Sequence, residues 1–316
     1  MTTFIRAVEV WTPSSDGTLL ESAGGLYGAA SHFAMVSRAM CFGRGEGLPG
    51  RAWDEGRPLV LRQFEGSYFL RTVAARAAGI VCAVALPVFV QDQLRGVVVF
   101  FCGDDSLGRG AIELWRNDPR VTGDMTLVDG CYGSAAQDFE ALSRDTYLPR
   151  GSGLPGLAWQ RGAAVLVDDL GDTRRFLRAE ASAAAGIERG LALPCSTPGN
   201  EAYVMTFLSA AEAPVALRIE SWVPAADGSA LVRNFGHCER QGPLSADARL
   251  ALAGAEGLGG GSIARAFASG VPAVSSQAAG EPDGIGAACA AHGLQSLLAI
   301  PIVDEGRVAE VAVLYF

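Results

Sequence analysis

Three Glu-x-Trp pairs, Glu9/Trp11, Glu113/Trp115 and Glu220/Trp222, have types and spacing suited to chemistry. Each sits in an alternating stretch (VEVW, IELW, IESW), which puts an acid and an indole on one face of a strand. Such a pair can line a pocket by stacking and hydrogen bonding, or it can pack a sheet while the glutamate meets an arginine. Arg71 and Arg178 each follow Phe-Leu at the start of an expected helix. A guanidinium there can clamp a carboxylate, nitrate or phosphate bidentately. The plainer alternative is a solvated helix face, or a salt bridge to Glu65 or Asp172. A third group is GLPGRAWDEG at residues 47–56, where helix-start amides and Arg51 suit an anion. Trp53 and Trp159 in the copy GLPGLAWQRG are expected to plug the core below, and Leu157 in place of Arg51 weakens the anion reading.

Composition narrows the chemistry further. The chain has 316 residues and a formal charge of −9, and all 25 of its basic residues are arginines. Without lysine there is neither a Schiff-base lysine nor a phosphate-loop lysine. No arginine cluster or aromatic-basic stripe favours nucleic acid. Seven cysteines lie scattered with no CxxC pair, and three histidines offer no zinc spacing, so neither metal nor cofactor is expected. The plain reading of the cysteines is reduced thiols, mostly buried as small hydrophobes. The opening MTTFIRAVEVW has no signal-peptide pattern, and the longest apolar runs are strand-length. A soluble cytoplasmic protein with no membrane contact is the expectation.

The elements that position these residues recur. After the first alternating strand come a turn, a return strand at 18–20, a helix over 31–41 and the Gly-bracketed helix. A strand at 59–61, a helix over 69–78 and a hairpin of strands 83–90 and 95–102 follow. GLPGRAWDEG returns as GLPGLAWQRG and more distantly as GSIARAFASG, while ALPVF returns as ALPCS and AIPIV. Markers in one order at one period of roughly 105 residues indicate whole domains in tandem. Pro87, Pro194 and Pro301 stand inside strands that otherwise read as central, so an edge or a bulge must fall there.

GLPGRAWDEGRPLVL, then RxxAAxxAGI, then ALPVF…LRGVVVFF resembles GAF domains, the small-molecule-sensing modules of signalling proteins. The resemblance is strong over 47–101, good over 153–208 and weaker over 261–316. It implies an α+β fold of three tandem GAF-like, profilin-like domains at 1–105, 106–211 and 212–316, the third degenerate. Each has a central antiparallel sheet with flanking helices. It places Arg71 and Arg178 on the helix that borders the ligand pocket, and Ile285 at that place in the third copy. It implies non-catalytic sensing of a small or anionic ligand with the output on a protein partner, and dimer formation is a further expectation. The alternatives are an interaction scaffold with vestigial pockets, or a thiol-based reductase resembling the GAF methionine-sulfoxide reductases. The reductase requires two cysteines within bonding reach in one domain, an exposed one among them, and Cys41, Cys82 and Cys102 are the first copy's candidates. Cys289 lies on the helix that carries the linking cysteine in bilin-binding relatives, but Ala290 follows it where that motif has histidine.

Overall fold

In the computed structural model the chain builds three antiparallel sheets with one strand order. The structure describes residues 3–103, 110–133, 137–171, 176–210, 213–252 and 261–316. The expected boundaries at 105/106 and 211/212 lie outside these residues, as do most of the short links and Asp172.

The first sheet runs β3 (Cys41–Gly43), β2 (Leu19–Leu26), β1 (Ile5–Pro13), β6 (Gln93–Gly103), β5 (Ile80–Val90), β4 (Leu59–Leu61). Helices α1 (Ser31–Arg38), α2 (Gly47–Glu55) and α3 (Thr72–Ala77) pack on its outer face. The second repeats this order as β9 (Tyr147–Leu148), β8 (Met125–Tyr132), β7 (Ala111–Asn117), β12 (Ala202–Ala210), β11 (Ile187–Cys195), β10 (Val165–Val167). Its helices are α4 (Gln137–Arg144), α5 (Gly153–Arg161) and α6 (Ala179–Ala184). The third is β15 (Gly242–Pro243), β14 (Ala230–Cys238), β13 (Arg218–Pro224), β19 (Arg307–Tyr315), β18 (Leu297–Asp304), β17 (Ala273–Ser275), with β16 (Arg249–Ala251) added to β14. Its helices are α7 (Ser262–Ser269) and α8 (Ile285–His292).

Several expected boundaries shift, and the helix expected over 31–41 ends at Arg38, with Cys41 already opening β3. The return strand is longer than 18–20, because β2 pairs with β1 through Leu26. The helix expected over 69–78 begins only at Thr72, because Phe69 is held in the preceding turn, stacked on Phe64 at 4.2 Å. The prolines fall where an edge was required. β4 pairs with β5 only across Ala83–Ala85, so that flank of β5 is open at Pro87. The pairings of β10 and β17 likewise stop at Ala192 and Ala299, short of Pro194 and Pro301.

Both faces of each sheet are dry. Along β6, Val97, Val99 and Phe101 join the core beneath the helices. The alternate residues Val98, Phe100 and Cys102 enter a second core shared by all three sheets. That central core also holds Leu191, Leu193 and Phe207 of the second sheet and Leu298, Ile300 and Leu314 of the third. Phe100 meets Phe207 edge-to-face at 5.1 Å between centroids. β5, β11 and β18 touch one another around the centre.

The sheets close into a ring through one repeated contact. Gly56, Gly162 and Gly270 end α2, α5 and α7 in the left-handed conformation, at φ of 63°, 61° and 70°. A Cβ on each would strike the hairpin of the next sheet: Pro198 at 2.9 Å, Asp304 at 2.6 Å and Val90 at 2.8 Å. Glycine is needed there for its dihedral and for the close approach. Gly79 (φ 65°) has the same dihedral with nothing within 4 Å of a Cβ. Gly79→Ala is therefore expected to cost about 1 kcal/mol of left-handed strain. Gly270→Ala should cost that plus about 1–2 kcal/mol for displacing Val90. Denaturant midpoints of the two variants measure the difference.

Candidate functional site

Each sheet encloses one buried carboxylate beneath its helices. In the second sheet alternation aims Glu113 and Trp115 of β7 outward, and both are fully buried. Trp115 Nε1 donates to Glu113 Oε2 at 2.9 Å. Arg178, at the cap of α6, reaches the same carboxylate with two nitrogens, at 2.6 and 2.9 Å. Thr206 Oγ1 (3.1 Å), Tyr132 Oη (3.0 Å) and Ser143 Oγ (2.9 Å) donate to it as well. The guanidinium lies over Phe139 at 4.6 Å and over Trp115 and Phe176 at 4.9 Å. Burial raises the carboxyl's pKa, but Arg178 and these hydrogen bonds outweigh it and hold Glu113 below the usual carboxylate range.

The first sheet repeats the arrangement. Trp11 Nε1 donates to Glu9 at 2.9 Å, and Arg71 Nη1 lies 2.5 Å from the other carboxylate oxygen and bonds Ser37. Rings of Phe33, Phe69, Phe101, Phe42 and Trp11 surround its guanidinium at 4.9–5.7 Å. Here Arg71 Nε and Nη2 and the Tyr27 hydroxyl are buried without a hydrogen-bond partner among the described residues. In the third sheet the acid–indole pair persists, with Trp222 Nε1 donating to Glu220 at 3.0 Å. Its cations come from the strands instead: Arg218 of β13, and Arg233 of β14 with Nε 2.9 Å away. Tyr315 Oη completes it at 2.5 Å.

The sequence therefore names Glu9, Trp11, Arg71, Glu113, Trp115 and Arg178 without joining them, and the structure joins them into two clusters. The arginine partners are neither Glu65 nor solvent but the glutamates of the opening strands. Arg51 and Trp53 stay apart from the first cluster. Arg51 lies on the surface of α2, 3.4 Å from Glu55 and over the Tyr68 ring at 4.2 Å. Trp53 and Trp159 are half-buried, under Arg44 and Arg150. The second glycine of GLPG is explained by packing. A Cβ on Gly50 would overlap the Gly43 carbonyl oxygen at 2.0 Å, and one on Gly156 the Pro149 oxygen at 2.4 Å. In the third sheet the helix-start amide of Ser262 is taken by the chain's own Glu281 at 2.8 Å.

Sequence reading passes over Ser37, Ser143, Tyr27, Tyr132, Arg218, Arg233 and Tyr315. Two signals were present: Phe-x-x-x-Ser in both SHFAMVSR and QDFEALSR, and Gly-x-Tyr at Gly25/Tyr27 and Gly130/Tyr132. A Cβ on Gly25 or Gly130 would lie 2.6 Å from its tyrosine ring, so glycine lets the ring fold back over the strand.

The described clefts lie elsewhere. One of about 360 Å³ between the first and second sheets is bordered by Arg57, Arg120 and Glu201, all ion-paired. One of about 400 Å³ lies among the hairpin tips, at Gln91, Ser196 and Gly306. One of about 450 Å³ has Tyr27 in its wall. None of the nine candidate residues lines them.

The sequence matches no protein-family model and no curated protein. Among solved structures, the NLH2 GAF domain of A. aeolicus in an inactive state is similar at 22% identity. The match covers 32% of this chain and 60% of that one, with a TM-score of 0.26. A free methionine-R-sulfoxide reductase of Neisseria meningitidis is similar at 16% identity (31% and 52% covered, TM-score 0.25). So is a Staphylococcus aureus NreA mutated in its nitrate-binding site, at 13% identity (32% and 74%, TM-score 0.26). The matched regions thus span little more than half of the first two chains. The strand order and the buried clusters of this chain itself carry its functional reading.

The cysteines correct the reading of uniformly reduced thiols. Cys82 of β5 and Cys131 of β8 form a disulfide between the first and second sheets, with Cα atoms 6.1 Å apart. Their neighbouring Cβ positions across the sheet boundary allow a bond that a scattered sequence pattern does not reveal. Cys41 is exposed and unpaired, and Cys102 is buried and unpaired. Burial pushes the Cys195 thiol up to about 12. Among the described residues no two cysteines of one sheet are bonded.

Two tests follow from the geometry. Arg178→Ala leaves Glu113 as an uncompensated buried charge, at an expected cost of about 3–5 kcal/mol. The double variant Glu113→Gln/Arg178→Met should recover much of that loss, and urea denaturation of the cycle measures the coupling. The second concerns His237, whose Nδ1 lies 3.3 Å from Asp168 beside Arg189 and Glu239. Burial, and then the Arg189 charge, lower its pKa, against an opposing pull from Asp168. As pH falls through about 6.5 the unfolded chain takes up a proton that the folded one resists, so stability drops. Glu239, raised by burial, acts in the opposite sense at lower pH. His237→Gln should flatten the fall in melting temperature between pH 7.5 and 5.5 relative to the parent.

Proposed function

We propose that the chain is an interaction scaffold of three tandem GAF-like domains, with boundaries near 105/106 and 211/212, in which the usual ligand space is filled by the chain itself. One observation carries this reading: among the described residues, Arg71, Arg178, Arg218 and Arg233 in the outer cores are each paired with the glutamate of their sheet's opening strand. A guanidinium paired through two nitrogens with Glu113 and enclosed by three aromatic rings presents neither net charge nor an open face to an anion. The extensive apolar contact among the sheets supports the same reading, since it consumes the surface a swinging sensor domain would need free. Its output is then surface recognition of a protein partner.

A specific feature favours a second reading, small-molecule sensing confined to the first sheet. Tyr27 offers a buried hydroxyl without a partner in the wall of the 450 Å³ cleft, and Arg71 keeps two unpartnered nitrogens behind it. Thermal unfolding against nitrate, nucleotides and small carboxylates separates the two. A ligand at a hundredfold excess over its Kd adds about 2.7 kcal/mol, which moves the midpoint visibly. The scaffold reading expects an unmoved midpoint across the panel. A dose-dependent rise that disappears in Tyr27→Phe, which keeps the ring and loses only the hydroxyl, overturns it in favour of sensing.

A further inference from the structure

The three seams of the ring carry one structural position with three chemistries. Cys82 on β5, Arg189 on β11 and Ser296, just ahead of β18, hold the same place before Pro87, Pro194 and Pro301. Cys131, His237 and Leu26 hold the same place after Gly130, Gly236 and Gly25 on β8, β14 and β2. Between the first and second sheets this position is a disulfide. Between the second and third it is polar: Arg189 acts on His237 and binds Glu239 at 2.5 Å. At the seam of third and first, β17 packs on β2, Val274 lies against Gly24, and Leu26 packs on the central core.

Two seams thus close without a covalent bond at this place, so closure does not require one at the third. We propose that Cys82 and Cys131 are a redox-operated staple: oxidation ties the first sheet to the second, and reduction releases the tie while the ring stays shut. The remaining contacts of that seam are independent of sulfur. They include Phe100 on Phe207, the Phe89 amide donating to Ser196 Oγ at 3.0 Å, and Arg62 donating to the Gly130 carbonyl at 2.6 Å. Formation proceeds by thiol–disulfide exchange with a small-molecule disulfide such as oxidised glutathione. The thiolate of Cys82, the less deeply buried of the two, attacks one sulfur and expels a small thiolate, leaving a mixed disulfide. Cys131 as thiolate then attacks the Cys82 sulfur and expels the second. Two protein thiols and one small disulfide become one protein disulfide and two small thiols.

Trypsin cuts after Arg76 and Arg95 and after Arg120 and Arg144, so residues 77–95 contain only Cys82 and residues 121–144 only Cys131. Folded protein equilibrated with oxidised glutathione, then alkylated, denatured and digested without reductant, should give these two peptides as one cross-linked mass that dithiothreitol splits. The bond closes a 49-residue separation. Dithiothreitol should therefore lower the melting midpoint on the order of 5 °C while the gel-filtration volume stays constant. In Cys131→Ala, and independently in Cys82→Ala, the reductant should leave the midpoint unmoved. Alkylated but uncrosslinked peptides from the oxidised protein overturn the proposal. So does a midpoint indifferent to reductant in the parent, or expansion of the reduced protein at 25 °C.

Discussion

One apolar core shared by three sheets is the constraint from which the rest follows. An antiparallel sheet ordinarily keeps one face against a core and shows the other to water, and its strands then alternate. Here Val98, Phe100, Leu191, Phe207, Leu298 and Leu314 bury the face that would be wet. The strands must be apolar on both sides, which is why GVVVFF and LLAIPIV read as unbroken hydrophobic runs. The same burial leaves the short helices facing outward and makes each sheet's stability dependent on its two neighbours. It also explains glycine at three helix ends, since the α2, α5 and α7 caps must approach a neighbouring hairpin more closely than a Cβ permits.

A sheet dry on both faces cannot hold a lone charge. Glu9, Glu113 and Glu220 lie at most 1% exposed, where an isolated carboxylate would cost several kcal/mol even after relaxation. Each is therefore met by an indole N–H and a guanidinium, and Glu113 and Glu220 by hydroxyls as well. Such clusters add little net stability over an apolar filling of equal shape. In the first two sheets what they fix is position: an arginine from the start of a helix meets an acid from the first strand, which docks that helix in one register.

Much of the fold was legible in the sequence because it rests on local signals. The glycine-bracketed helix, the hairpins and the prolines at strand edges each depend on dihedrals that neighbouring residues determine, and they lie where expected. The clusters were legible only in pieces. Glu9 and Arg71 are 62 residues apart and Glu113 and Arg178 are 65, and nothing local in either segment names its partner. The disulfide escaped for the same reason, since Cys82 and Cys131 approach only when two sheets pack. The orientation of the tryptophans was harder still. Alternation puts Glu and Trp on one side of the strand without saying which side meets helices, and a sheet buried twice gives no polar face to decide it.

The third sheet shows which constraint is the deeper one. Ile285 stands where Arg71 and Arg178 open their helices, so the sequence reads as the loss of a charge. The acid is nevertheless retained at Glu220, and its neutralisation moves to Arg218 two residues earlier on the same strand and to Arg233 on the next. The tyrosine likewise moves from the second strand, Tyr132, to the last, Tyr315. If the arginine served a ligand, its direction of approach would matter, and a cation arriving from the strands would not replace one arriving from a helix. If it serves the buried glutamate, any cation that reaches the carboxylate suffices. The interchange of helix and strand as the source of charge is what internal neutrality demands, and it is the strongest ground for treating these arginines as part of the frame.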